Sequence, residues 1–359
     1  MTFDLLRIIK TTKFQLMSIL AVVCYIMLLF VLQYKQTIHS EEFPKLLQVD
    51  DKIKKLATPV TVGIHVNSFP DFSFSSNNFS IDATVWFRFA QATESLDTLG
   101  KFTLKNSKLL GDGSLIYKSP PIIKILDKEV LVSYHIQANF MAVLKYNFFP
   151  IGDHKLSFIL QNKSVTAQEL VFVTEPGSIT LPENMLVENW KPKETVACAG
   201  YIKADFNPQD SRMNITYPCV AFTVGFENVS ARLPVSLYFP LFILFFLMLI
   251  SMMLNITDSN RIGLVSAGVP ALVLFRLVID SVSPRVGYIT HIDKVYYLVV
   301  FLSLLILFLQ TYIVLVLHKS GNLDEQTKKL RNEKLENLND ILFVLILVLL
   351  VVFLTIYWI

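Results

Sequence analysis

Charge is scarce in this chain: Asp, Glu, Lys and Arg make up 17% of the 359 residues, and the formal net charge is +3. So small a balance, diluted by acids, gives no argument for a nucleic-acid partner, and none is expected. Histidine is sparse too. The six, His39, His65, His135, His154, His291 and His318, are scattered, and no His-Glu-x-x-His, Gly-x-Ser-x-Gly or phosphate loop occurs. A membrane-anchored enzyme therefore has nothing in the sequence to carry it, and no metal centre and no cofactor are expected. No run of Gly, Ser or Pro marks a long flexible linker, and there is no internal repeat. What is abundant is apolar side chain: 53% of the residues are hydrophobic, and the mean hydropathy is +0.51. That composition reads as a membrane protein with a sizeable soluble part.

The stretch from Asp258 to Lys294 organises the rest. Ile262 to Ile279 are apolar or small except for Arg276, and at ~1.5 Å per residue they make a helix of about 27 Å, just able to cross a bilayer core. A lipid-facing helix has no use for Gly263, Ser266, Ala267, Gly268 and Pro270, nor for an arginine near its far end. Steps of four and three place Gly263, Ala267, Pro270, Leu274, Leu277 and Ser281 on one stripe. Several copies of that stripe would enclose a pore, with Leu274 and Leu277 as the dewetting constriction; close helix packing by small residues is the other reading. Pro270 leaves the carbonyl of Ser266 without its helical partner, for which a hydroxyl such as that of Ser266 can compensate. Arg276 lies about 200° around the helix from Leu274, with Asp280 on nearly its own side. An off-pore ion pair and snorkelling to the headgroups are both open to it.

Upstream, Arg7, Lys10 and Lys13 precede an uncharged run from Leu16 to Leu32. A cleaved signal peptide and a retained anchor both fit. The length of the run and the lack of an A-x-A-like site favour an anchor at 16–32, with a cytoplasmic stub at 1–15. From 33 to 231 no stretch is apolar enough to span. VTVGIHV, FSIDATVWFRF, VLVSYHIQANFMAVL, HKLSFIL, ELVFV, ETVACAGYI and PCVAFTVGF alternate in part between turn clusters, which predicts a β-sandwich. Cys24 reads as a small core residue. Cys198 and Cys219 flank Asn207-Pro208-Gln209-Asp210 almost equally, so a hairpin would bring them opposite one another; a disulfide is expected, with two buried free thiols as the alternative. Four spans follow Arg232, at 233–254, 261–281, 295–317 and 341–359, with a charged linker at 318–340 in which Leu323, Leu330, Leu335 and Leu338 hint at an amphipathic helix. Alternation of the spans puts the sandwich and the C-terminus outside.

Ser283-Pro284-Arg285-Val286-Gly287-Tyr288-Ile289-Thr290-His291-Ile292-Asp293-Lys294, followed by an uncharged span, resembles the junction between the second and third transmembrane helices of the pentameric ligand-gated ion channels. Pro284, Arg285, Tyr288, Thr290 and Asp293 carry the match, together with Arg261-Ile262-Gly263-Leu264 at the start of the pore helix. VTVGIHVNSF through ATVWFRF, and NFMAVLKYNFFPIGDHKLSF, are similar to segments of bacterial members of this Cys-loop superfamily; the two loop cysteines are absent here, as in prokaryotic relatives. The family's Phe-Pro-x-Asp reads Phe149-Pro150-Ile151-Gly152-Asp153, with Asp153 one residue out.

The resemblance implies a homopentamer in which an extracytoplasmic β-sandwich senses and four helices conduct. It implies coupling through Phe149, Pro150, Asp153, Arg232, Pro284, Tyr288 and Thr290. It also implies a ligand flap with Phe206 and Arg212 in its tip, Tyr201 and Tyr217 at its base and Trp190 just before it; each of those aromatics reads equally as core or surface. The ligand would be a small molecule, a proton or a divalent cation, and the other partners are the lipid bilayer, permeant inorganic ions and further copies of the chain. Asp258 and the adjacent Arg261 nearly cancel at the inner mouth, and the expectation inclines to cations. The function expected is passive conduction by a ligand-gated channel subunit, not an enzyme, in a bacterial inner membrane. The alternative is a non-conducting receptor or accessory subunit of the same architecture, favoured by Pro270 and the missing acidic ring.

Overall fold

Two-residue spacing governs one part of the chain and three-and-four spacing the other, and the two kinds of segment collect into separate units. The computed structural model describes residues 11–35, 42–48, 57–73, 77–91, 96–110, 113–142, 144–187, 189–207, 209–210, 213–319 and 324–358. A first helix, α1 (Thr12–Lys35), precedes the strands β1 (Thr58–Ser68), β2 (Phe72–Ser73) and β3 (Asn78–Ala90). After a short helix α2 (Leu96–Gly100) come β4 (Phe102–Leu104), β5 (Tyr117–Lys118), β6 (Ile122–Leu126), β7 (Glu129–Met141), β8 (His154–Asn162), β9 (Leu170–Val173), β10 (Ile179–Thr180), β11 (Trp190–Asp205) and β12 (Asn214–Asn228). The last four helices are α3 (Arg232–Ile250), which tightens into a 3-10 turn at Ser251–Met253, α4 (Asn260–Val282), α5 (His291–His318) and α6 (Glu325–Trp358).

The β-rich unit holds two sheets. One runs β10-β1-β3-β7-β5, with β9 beside β1, β2 beside β3 and β6 beside β7; the other runs β11-β12-β8-β4. In β3 the period of two is strict, burying Phe79, Ile81, Ala83, Val85, Phe87 and Phe89 on one side, as a pleated strand covered on one face requires. These rings meet the other sheet: Phe87 lies 5.3 Å from Phe102 of β4, and Phe72 of β2 lies 4.9 Å from Phe226 of β12. Edge-on and tilted contacts of this kind add about 0.5–1.5 kcal/mol each beyond the area they bury. All seven segments expected as strands lie largely within β1, β3, β7, β8, β9, β11 and β12.

The expected disulfide is corrected by the register of the β11–β12 hairpin. Asp205 pairs with Asn214, Cys198 with Ala221, and Gly200 with Cys219. The hairpin therefore turns about one residue later than a turn at 207–210 would, which displaces the pairing by two. Cys198 and Cys219 become diagonal neighbours, about 7–8 Å apart and beyond ready bridging distance. Both are free thiols, Cys198 exposed and Cys219 buried.

In the helical unit, five helices among the described residues are long and apolar enough to cross a membrane: α1, α3 with its 3-10 turn, α4, α5 and α6. Their shared core includes Leu241, Phe245 and Met248 of α3, Val265, Leu272 and Ile279 of α4, Val299, Leu302 and Ile306 of α5, and Phe343, Leu350 and Leu354 of α6. The charged linker and the last span are one helix, because neither glycine nor proline interrupts 325–358. Its buried stripe passes through Leu335, Asn339, Phe343, Leu350 and Leu354, whereas Leu330 and Leu338 are exposed; Leu323 lies outside the described residues. Helix α1 seats Val22, Ile26 and Leu29 in the same core. Gln15 bonds Asp340 at 3.0 Å and Tyr25 bonds Thr355 at 2.7 Å, so α1 and α6 run in the same direction.

Candidate pore helix and its C-terminal junction

Helix α4 is the least covered of the four C-terminal helices. The chain buries 17% of its apolar stretch, against 44% for α3, 39% for α5 and 33% for α6. Its buried residues are Arg261, Val265, Leu272 and Ile279, one narrow face turned to the other helices. Gly268 explains how closely that face can dock: a Cβ there would stand 2.5 Å from Cγ of Met248 on α3. On the uncovered side, Gly263, Ala267, Pro270, Leu274, Leu277 and Ser281 are all exposed, with Leu274 at 64% and Leu277 at 66%. The helix runs unbroken through Pro270, and the Ser266 hydroxyl donates to the carbonyl of Gly263 at 3.0 Å.

The two arginines of α4 face away from that stripe. Arg276 donates to Asp280 at 2.8 Å on its own helix and to Asp293 at 2.5 Å on α5, so the ion pair prevails over snorkelling. Asp293 is shared. Its other oxygen accepts the backbone N–H of Thr290 at 2.8 Å and the Thr290 hydroxyl at 2.7 Å, closing a capping box on the first turn of α5. Arg261, 2% exposed, turns into the bundle. Its Nε donates to the carbonyl of Ser251 at 3.0 Å, and Nη2 donates to Oδ1 of Asn339 on α6. Asp258, which accepts the N–H of Asn260 at 2.9 Å, is the less buried of the two.

Beside the C-terminal end of α4, the segment 146–151 belongs to the helical unit although the sequence embeds it among strands. The N–H of Tyr146 donates to the Tyr288 hydroxyl at 2.6 Å, and the N–H of Ile292 donates to the carbonyl of Phe149 at 3.2 Å. Phe149 and Ile151 pack on the helical core. Pro284, Tyr288 and Thr290 line an open cleft of ≈ 830 Å³ with Arg276, Asp280 and Asp293. Of the expected coupling residues, the structure thus groups Phe149 and Pro150 with the junction of Pro284, Tyr288 and Thr290. Asp153 belongs to the β-rich unit, where its carboxylate accepts the N–H of Asn228 at 3.1 Å. Arg232 begins α3.

The ligand candidates do not converge within one chain. Tyr201 pairs with Pro218 and Tyr217 with Ile202, which puts the two tyrosines on opposite faces of the hairpin. Trp190 pairs with Asn228, about 33 Å along β12 from the partner of Tyr201 at ~3.3 Å per residue, and its ring stands 5.3 Å from His154. Phe206 is 62% exposed, and Arg212 lies outside the described residues. Burial pushes the Cys219 thiol up to about 12, so it is not a nucleophile at neutral pH.

No family model matches this chain, and a search of curated proteins finds no match either. The residues that the sequence reading missed are Tyr146, Asp293 as the second partner of Arg276, and the Asn339 clamp on Arg261. The capping-box spacing Thr290-x-x-Asp293 could have marked Asp293; nothing local marks Asn339, which is 78 residues from its arginine.

Proposed function

We propose that the chain is one subunit of a pentameric, ligand-gated ion channel. In this reading the two sheets form an extracytoplasmic β-sandwich that senses a small ligand, a proton or a divalent cation, and α4 from five copies encloses the ion path. One observation carries it. The helix that its own chain covers least also holds Gly263, Ser266, Pro270 and Ser281, residues that lipid would tolerate worst, on its open face, while both of its arginines are engaged elsewhere. Further copies of α4 meet that need, because they cover the helix flanks and leave only the stripe facing water. Withdrawal of Arg261 beside Asp258 supports cations as the conducted species. Gating is a population shift in which the segment at Phe149 and Pro150, tied to Tyr288 and Ile292, moves with the outer end of α4.

The test is reconstitution in planar bilayers, with unitary currents recorded while pH, divalent cations, small amines and carboxylates are varied. Expected are discrete currents with a cation reversal potential, altered by Leu274→Ser and Leu277→Ser. Silence from a protein whose mass is that of a pentamer would instead favour a non-conducting receptor of the same architecture.

A further inference from the structure

The second sheet narrows along its length. Strand β12 pairs with β11 from Asn228 to Asn214, but with β8 only from Phe226 to Cys219. The next residue gives the reason: Pro218 has no N–H with which to continue the ladder. Beyond Cys219, Tyr201–Asp205 and Asn214–Pro218 leave the sheet as a two-stranded arm, about 17 Å long at ~3.3 Å per residue. It ends at Phe206 and Met213, 62% and 48% exposed. Among the described residues, one main-chain bond reaches β12 within the arm from the side of β8, from the N–H of Ala167 to the carbonyl of Thr216 at 2.9 Å. Two strands alone are marginal in water. A separate piece of chain braces the root of the arm. In the segment 42–48, the N–H of Leu47 donates to the carbonyl of Tyr201 at 3.2 Å, and the N–H of Tyr201 donates to the carbonyl of Leu47 at 3.0 Å. Tyr201 stands in the first row past the last one that β8 reaches. Gly200 makes room for the segment: a Cβ there would stand 2.6 Å from the Leu47 carbonyl oxygen and 2.9 Å from Cβ of Leu46. The ring of Phe43 lies 4.1 Å from Nζ of Lys155 on β8. The hold is light, since Phe43 and Leu47 are 40% and 46% exposed.

We propose that residues 42–48 are a releasable strap: seated on Tyr201 they hold the arm in line with the sheet, and lifted off they leave it free to bend at the row of Gly200 and Cys219. The bend falls there because the third strand, and with it the stiffness of the sheet, ends at Cys219. Lifting the strap breaks two main-chain hydrogen bonds and one ring contact, all at the surface, which places it among the local motions of low free energy. The seated and lifted strap thus correspond to two settings of the arm. This inference concerns the β-rich unit alone and stands whether or not α4 lines a conducting pore.

It is tested by hydrogen exchange on the full chain in lipid nanodiscs. Leu47→Pro removes the donor to Tyr201 without touching β11, and Gly200→Ala sets a methyl group where the Leu47 carbonyl lies. Each is expected to speed exchange at 201–205 and 214–217 by on the order of tenfold, with 219–226 near wild type. The converse variant, Leu47→Cys with Tyr201→Cys in a Cys198→Ser background, ties the strap down. Facing residues of a hydrogen-bonded antiparallel pair stand about 5.5 Å apart at Cα, within bridging reach. Once oxidised, this variant should exchange more slowly than wild type at 201–205, and reduction should reverse the effect. An arm unmoved by Leu47→Pro or by Gly200→Ala overturns the proposal. So does an oxidised form no slower than the reduced one, because a strap that never lifts leaves nothing to lock.

Discussion

Arg276 divides its guanidinium between two carboxylates, using one nitrogen for Asp280 and another for Asp293. A lysine offers a single point of charge and cannot hold both. Arg276→Lys should therefore keep one pair, loosen the C-terminal end of α4 from α5, and lower the thermal midpoint of the detergent-solubilised protein. Arg276→Leu should cost more, about 1–3 kcal/mol, because Asp293 is left buried without its cation. A midpoint unchanged in both variants would show the pairs to be incidental. The cysteines make a second case. Cys198 is exposed while Cys219 is buried with its thiol pushed up to about 12. A membrane-impermeant thiol reagent at neutral pH is therefore expected to label Cys198 and spare Cys219, with no need for a reductant. Labelling that appears only after reduction would restore the bridge that the register argues against.

At the level of elements, legibility followed period and reach. The alternation of β3 and the four-and-three stripe of α4 could be read because each is a local rhythm that one-sided burial imposes. Strand β6 could not, since all five of its residues are exposed and no alternation survives. The β11–β12 pairing failed for a different reason: a one-residue error in the centre of a turn moves every cross-strand partner by two. Segment 146–151 was legible as a loop with a family resemblance, but its anchor on Tyr288 was not, being 142 residues away. That anchor predicts a specific loss. Tyr288→Phe removes the acceptor for the Tyr146 N–H while keeping the ring, and should destabilise the segment by about 1–3 kcal/mol, seen as faster exchange at 146–151 with the helices intact. Equal protection in the variant would mean that Tyr288 merely lies alongside.

For the molecule as a whole, the uneven cover of its helices makes a single copy unfinished under the proposed assembly. Helix α4 has 17% of its apolar stretch buried by its own chain and presents glycine, proline and serine to whatever surrounds it. Completing that surface with neighbours ties the fate of each chain to that of the others. In the proposed ring of five, subunits made from an equal mixture of sound and defective copies would leave only about 3% of rings wholly sound. Co-expressed with the wild-type chain, a variant damaged at Pro270 or Leu274 should then poison most rings, whereas a variant that cannot join the ring at all should leave the wild-type rings untouched.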